Sequence, residues 1–348
     1  MPGRQTSPGS NSLPSGGCDM DKNVAYGGQA VIEGVMFGGR YVQVTAIRRK
    51  DGRIETYETI SRPSPFVRAL RRVPFIRGMV TLIEAAVSGA KHLQFASERY
   101  ELDEDLERAD EAKASSPSQV EMILGVAVAG VLSLLFGKML FTALPAFLAS
   151  LLFDRYISNL IVQNLIEGGI KTLLLLGYLL LISQTPPIRR LFQYHGAEHK
   201  VINAYEAGVE LTVDNVQQRS TLHYRCGSSF IVLTILVGVI IYSFFSYENV
   251  WDRIATRLLL LPIVVGLSYE MLRFTNAVRD VPILNYLGYP GLWLQKLTTR
   301  EPRDDQVEVA IAAFERMHAL DNQYAEKAGV SPNVSIRMTG MTREPLGK

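Results

Sequence analysis

FQYHGAEHKVINAYE, residues 192–206, is the stretch from which the organisation of the chain can be worked out. It follows a long apolar run and holds two of the five histidines. On a helix, His195 and His199 share a face because they are four residues apart. Glu198 lies beside that face, and Glu206 returns to it two turns later. Two imidazoles and a carboxylate on one face predict a binding site for zinc or a similar divalent metal.

A second group of metal-binding side chains stands at residues 223–226, just before the next apolar run. We expect His195 and His199 to be metal ligands, with zinc as the first choice of metal. The third ligand is expected from one of three residues: Glu206, His223 or Cys226. Residues 195–199 also match the H-x-x-E-H pattern of inverted zincins, so Glu198 is expected to act as the general base or to orient a ligand.

Two other interpretations of these residues stay open. The thiolate of Cys226 could be a nucleophile that a histidine activates. Alternatively, Glu198 could pair with Lys200 or Arg225, and the histidines would only cap and pack a helix at a membrane surface. Neither alternative needs a metal.

The composition favours a membrane protein. The 348 residues have a net charge of +2, which gives no reason to expect nucleic acid as a partner. The mean hydropathy of +0.11 is high for a chain with 20% charged residues, because the apolar residues gather in blocks between about 120 and 275. One of the two cysteines, Cys18, lies in a Gly/Ser/Pro-rich tail, so no disulfide framework is expected.

The apolar blocks predict about four transmembrane helices. One span is favoured over two in residues 120–153, the second begins near residue 160, and the others lie at 230–247 and 256–274. Lys and Arg are concentrated before the first span, between the second and third, and after the fourth. The positive-inside rule therefore places these three segments, including both termini, in the cytoplasm of a multi-pass inner-membrane protein.

The whole chain is then predicted to be mainly α-helical, with a small N-terminal β-rich unit. In order, we expect a disordered tail (1–22), a cytoplasmic β-rich unit with an amphipathic helix (23–115), two spans (116–183), a cytoplasmic metal-site loop (184–228), two spans (229–275), an interfacial segment with a C-terminal amphipathic helix (276–330) and a disordered tail (331–348).

The β-rich unit has a strong turn signal at Asp51-Gly52, between two runs of strand-forming residues. Within it, Glu33 is interpreted as an exposed strand residue in preference to a carboxylate aimed at the central site. His92 is interpreted as a surface or packing residue, and His318 as a helix-surface residue. The unit could also bind a protein partner.

Five stretches resemble the bacterial DUF1385 family: GGQAVIEGVM, YHGAEHKVINAYEAG, RCGSSF, RLLLLPIVVGLSYE and PGLWLQKLTTREP. The resemblance covers most of residues 24–320. It implies a membrane protein and a metal-dependent enzyme, without a substrate. Family members read His-Pro-Arg-Cys-Gly-Thr where this chain has His223-Tyr224-Arg225-Cys226-Gly227-Ser228, so the histidine and cysteine are kept and the proline is replaced.

The sequence thus favours a metal-dependent, hydrolase-like enzyme at the cytoplasmic face of a bilayer. The alternative is a non-catalytic membrane scaffold or partner-binding protein, in which the metal is structural. An open coordination position would favour the enzyme, and a closed four-ligand site would favour the scaffold. The sequence assigns neither a substrate nor an oligomeric state.

Overall fold

The computed structural model describes residues 26–61, 64–109, 132, 136–137, 139–153, 155–157, 159–245, 250–279 and 281–327. Both predicted tails, Cys18 and the first part of the first predicted span lie outside these residues. Within them, the chain is mainly α-helical with a small antiparallel sheet near its N-terminus, as the sequence predicts.

The sheet is an antiparallel meander. Its strands, in spatial order, are β1 (Gly27–Val31), β2 (Gly34–Gly38), β3 (Val42–Arg48) and β4 (Ile54–Ile60). The predicted hairpin turn joins β3 to β4, and Gly52 adopts a φ of +87° that a side chain would disfavour.

The helices follow the sheet. They are α1 (Pro65–Leu70), α2 (Ile76–Ala109), α3 (Leu144–Phe153, preceded by a π-helical turn at Met139–Ala143), α4 (Leu160–Ile182), α5 (Pro186–Glu206), α6 (Val213–Gln217), α7 (Gly227–Tyr242), α8 (Val250–Ala277), α9 (Tyr289–Thr298, preceded by a 3₁₀ turn at Leu284–Gly288) and α10 (Asp304–Lys327).

The central stretch is helical, as predicted, and forms most of α5. Pro186 stands at the start of this helix, where proline has the right φ and no intrahelical donor is lost. The preceding helix, α4, is capped by Asn159, whose side chain accepts a hydrogen bond from the backbone nitrogen of Ile161 at 2.9 Å.

The main core joins the first, central and last parts of the chain. One face of the sheet packs against α5 and α10, with Phe37 of β2, Tyr194 of α5 and Phe314 of α10 all fully buried. The predicted apolar face of the C-terminal helix is confirmed, since Val307, Ile311, Phe314 and Met317 are buried. Because α5 belongs to this core, packing holds in place the helix that carries His195 and His199.

Helix α2 covers the opposite face of the sheet, where Phe95 and Ala96 pack on Val31 and Ile47. His92 is a packing residue with no exposed surface, and its ring nitrogens lie 2.7 Å from Thr45 Oγ1 and 2.9 Å from Thr59 Oγ1. Burial lowers the pKa of His92 to about 4, so the ring is neutral at pH 7.

In the part of the chain that the structure describes, two helical segments are long and apolar enough to cross a membrane: Ile161–Ile182 and Ala255–Ala277. Only 6% of the most apolar window of the first is buried, unlike the core helix of a soluble protein. Helix α7 is also apolar but has only 16 residues. The length and composition of these helices are consistent with membrane association, and the number of four spans stays a prediction.

Candidate metal centre

Helix α5 places the rings of His195 and His199 together, with their centroids 4.5 Å apart. Each Nδ1 faces a backbone carbonyl: His195 Nδ1 lies 2.8 Å from Thr298 O, and His199 Nδ1 lies 2.6 Å from Thr221 O. Because a carbonyl oxygen only accepts, both Nδ1 atoms carry the proton. In the neutral ring the lone pair is then on Nε2, which is the form in which histidine binds a metal through this atom.

Cys226 brings the third donor atom. It is the N-cap residue of α7, and its Sγ accepts a hydrogen bond from the backbone nitrogen of Ser228 at 3.4 Å. The amino end of a helix stabilises negative charge, which suits a thiolate. Sγ lies 3.3 Å from His195 Nε2, and the donor atoms of His195, His199 and Cys226 all lie within 4.8 Å of one another.

This donor set fits a divalent metal. Two neutral imidazole nitrogens and one thiolate are a three-ligand set known for zinc, which then keeps an open fourth position. Burial lowers the pKa of His199, so this imidazole is neutral and ready to donate its lone pair. The structure thus brings together three of the five predicted ligands.

Glu198 is buried on the side of α5 that faces the sheet. Burial raises the pKa of Glu198, against the opposing effects of His195, His223 and a hydrogen bond from the backbone nitrogen of Gly28. A β-carbon at Gly28 would lie 3.2 Å from Glu198 Cδ, so the glycine lets strand β1 approach this carboxyl group. A buried carboxyl group with a raised pKa accepts a proton more readily than a free one, so it is a candidate for proton transfer.

His223 lies next to the three donors without joining the compact group. Its ring centroid is 5.8 Å from that of His199, and its backbone is held on both sides by Gln295, at 2.8 Å each. Burial lowers the pKa of His223 to about 4. Its Nε2 is buried without a hydrogen-bond partner and lies 3.6 Å from Glu206 Oε1.

Glu206 is engaged by two arginines. Its carboxylate accepts a hydrogen bond from Arg225 and lies 3.7 Å from Arg279. Charge-assisted hydrogen bonds of this kind occupy the oxygen atoms that a metal would need. The ligand roles of Glu206 and His223 stay predictions.

Several residues of the site were not found by sequence reasoning. Thr221 and Thr298 act through their backbone carbonyls, which leave no mark on side-chain patterns. A β-carbon at Gly196 would lie far less than 3.0 Å from the carbonyl oxygen of Arg300, which is closer than real β-carbons come to other atoms. The sequence offers one signal of this close approach. Gly196 lies in a helical stretch between His195 and His199, where glycine is unfavourable unless close packing requires it.

The sequence interpretation of Glu33 as an exposed strand residue is wrong. Glu33 is half-buried in the turn between β1 and β2, with a φ of +55°, and its carboxylate is bound by the guanidinium of Arg190 on α5. This ion pair ties the sheet to the turn of α5 that precedes His195. His318 is also buried, contrary to expectation, within the aromatic core around Phe314.

The fold and the site define a mainly helical protein with a small antiparallel sheet and a buried His-His-Cys group on its central helix. The chain belongs to the DUF1385 family, whose model, described as a protein of unknown function, matches residues 73–320. It is 51% identical over 302 residues to the uncharacterized protein YqhQ of Bacillus subtilis (strain 168), which covers 86% of this chain and 95% of that relative. No solved structure matches the chain.

Proposed function

We propose that the protein is a metal-dependent enzyme of the hydrolase type that works at the face of a membrane. The observation that carries the proposal is the shared orientation of two rings: both Nδ1–H groups are tied to carbonyls, and the three free donor atoms lie within 4.8 Å of one another. Such tying of the distal ring nitrogen is typical of histidines that bind a metal. If these histidines only packed the helix, their Nε2 atoms would not need to lie close to the sulfur of Cys226.

His195, His199 and Cys226 would hold the metal, with zinc as the first choice. A zinc ion bound by three protein ligands activates water and polarises a carbonyl or phosphoryl group. Glu198 is suited to take up and return a proton, because burial raises its pKa and the Gly28 nitrogen fixes its carboxylate. Since His199 and Cys226 are both buried, bulk water has little access to the ligand atoms.

The proposed topology has four spans, and the main core supports it. Helices α5 and α10 pack on the same sheet, so in a membrane-spanning chain these three parts would lie on one side of the membrane. The chain must then cross the membrane an even number of times between the sheet and α5, and again between α5 and α10. If α8 crosses, α7 has to cross with it, although its 16 residues span only about 24 Å of a core of about 30 Å. The Lys and Arg residues near this core favour the cytoplasmic side.

A specific observation favours the non-catalytic alternative, a membrane scaffold or partner-binding protein with a structural metal. His223 is buried, its Nε2 has no hydrogen-bond partner, and its ring lies beside that of His199. If this ring became a fourth ligand, the site would be closed, as structural zinc sites are. A closed site leaves no position for water or substrate.

The metal content of the purified full-length protein tests the proposal. We expect about one zinc ion per chain in the wild-type protein and a loss of at least tenfold in metal affinity for His195→Ala/His199→Ala. His92→Gln is the matched control, since it alters a buried, hydrogen-bonded histidine on the far face of the sheet and should keep the full metal content. Equal metal content in the wild type and the double variant, including none in either, contradicts the proposal and favours a nucleophilic Cys226 with His195 as its base.

His223→Ala separates the enzyme from the scaffold. With an open fourth position, this variant keeps its metal, and the absorption spectrum of the cobalt-substituted protein still responds to added small anions. If His223→Ala loses metal to the same extent as His199→Ala, the site is closed and the scaffold is favoured.

A further inference from the structure

A cleft of about 560 Å³ opens beside the candidate metal centre. The three proposed metal ligands are not part of its lining. Its wall includes Thr221, whose carbonyl orients His199, and Thr299, which follows the threonine that orients His195. The cleft is therefore a separate site, one layer of backbone away from the ligand atoms, and its volume lies within the range of small-molecule sites.

Three cations line this cleft: Arg189, Lys296 and Arg300. In the part of the chain that the structure describes, no carboxylate forms an ion pair with any of the three. The acidic residue of the lining, Glu301, is engaged by Lys200 at 2.8 Å, so it does not neutralise them. Like charges that line one cleft without a counter-charge attract an anion into it.

Arg300 also has unused hydrogen-bonding capacity. Its Nε is buried without a partner, while another nitrogen of its guanidinium reaches Ser183 Oγ at 3.4 Å. Its backbone is fixed, because the Arg300 nitrogen donates to Phe192 O at 2.9 Å. A phosphate offers several oxygen acceptors in the geometry that guanidinium groups match.

The position of the cleft indicates where such a phosphate comes from. Ser183 directly follows the apolar helical segment Ile161–Ile182, and Arg189 stands six residues further along. Trp293, on the same helix as Lys296, is 64% exposed, and tryptophan is typical of the boundary between bilayer and water. If the apolar segment spans the bilayer, the cleft lies at the depth of the lipid headgroups.

We propose that this cleft binds the phosphate group of an anionic membrane lipid. Basic pockets next to membrane helices are suited to such headgroups. Recognition of the phosphate follows from the three cations and does not depend on a metal. The inference that this phosphate belongs to a lipid rests on the membrane placement in the proposed function.

Native mass spectrometry of the detergent-purified full-length protein tests this proposal. The probes are phosphatidylglycerol and phosphatidylcholine with identical acyl chains, and inorganic phosphate is the competitor. We expect phosphatidylglycerol to bind at least tenfold more tightly than phosphatidylcholine and inorganic phosphate to displace it. Lys296→Gln and Arg189→Gln are each expected to weaken phosphatidylglycerol binding roughly tenfold, because each removes one charge-assisted contact. Both residues are exposed, so neither substitution endangers folding.

Arg53→Gln is the matched control: it removes the same charge from the exposed turn between β3 and β4 and should bind lipid like the wild type. Unchanged phosphatidylglycerol binding in both cleft variants overturns the proposal. If the two lipids bind equally well and inorganic phosphate binds reversibly in the cleft, the phosphate does not come from a lipid, and that part of the proposal is overturned. His195→Ala/His199→Ala should keep its preference for phosphatidylglycerol, so a failure of the metal proposal is recognised separately.

Discussion

Replacing Gly196 by alanine tests the packing that holds the candidate metal centre in shape. A β-carbon at this position would meet the carbonyl oxygen of Arg300 far inside 3.0 Å, a separation that real β-carbons essentially never show. The obstacle is backbone, which cannot rotate away as a side chain would. Helix α5 and residues 298–300 therefore have to separate by about 1 Å, and overpacking of this kind typically costs 1–3 kcal/mol.

The same separation would disturb the hydrogen bond between His195 Nδ1 and Thr298 O. Losing this bond is expected to cost about 1 kcal/mol, whereas alanine is intrinsically better than glycine in a helix by up to about 1 kcal/mol. These two contributions offset each other, so the net loss in the free energy of unfolding is about 1–3 kcal/mol. The orientation of His195 changes with it, and metal affinity should fall tenfold or more.

Chemical denaturation in detergent and metal titration of Gly196→Ala measure both effects. Gly177→Ala is the matched control, because no atom lies within 4 Å of a β-carbon at that helical position, and this variant should be as stable as the wild type or slightly more so. A Gly196→Ala protein with wild-type stability and wild-type metal affinity would refute the reasoning.

Three further predictions concern the sheet, its link to α5 and the metal. His92 has a pKa of about 4 in the folded chain and about 6.5 when free in water, so this residue alone should lower the free energy of unfolding by about 3 kcal/mol as the pH drops from 6.5 to 4. His92→Gln should lose this pH dependence, and an equal dependence in both proteins would contradict the assignment. A double-mutant cycle of Glu33→Gln and Arg190→Gln should give a coupling energy of about 1 kcal/mol, since the ion pair is partly exposed. A coupling energy of zero would mean that this ion pair does not hold the sheet to α5. Cys226→Ser should lower zinc affinity at least tenfold in a chelator competition, whereas Ser228→Ala, which removes only a hydrogen bond to the sulfur, should have a smaller effect. Unchanged zinc affinity of Cys226→Ser would exclude the sulfur as a ligand.

The sequence predicted the elements whose signals are local. The alternation of β3 and β4 around Asp51-Gly52, the helical spacing of His195 and His199 and the apolar face of α10 all depend on residues close together in the chain. Cys226 was predicted as one of three choices for a third ligand, because nothing in a single sequence measures the distance from α5 to the start of α7.

What the sequence could not predict depends on contacts between distant segments. Glu33 was misread because an isolated carboxylate in a glycine-rich run gives no sign of Arg190, which is 157 residues away. His318 was misread because the aromatic rings that bury it come from other elements, among them Tyr26 and Tyr205. The carbonyls of Thr221 and Thr298 are chemically like every other carbonyl of the chain, so only the three-dimensional structure reveals their role.

The packing of α10 on the sheet has a consequence for synthesis on the ribosome. The backbone nitrogen of Tyr41 donates to Asp321 Oδ1 at 2.6 Å, a contact between residues 280 positions apart. At about 5–20 residues per second, roughly 12–50 s pass between the emergence of the last strand and that of the last helix. Until α10 emerges, the sheet face that α5 and α10 cover together has only α5 to pack against. A nascent chain that stops before residue 304 would leave the part of that face that α10 covers exposed, and proteolytic quality control should remove it.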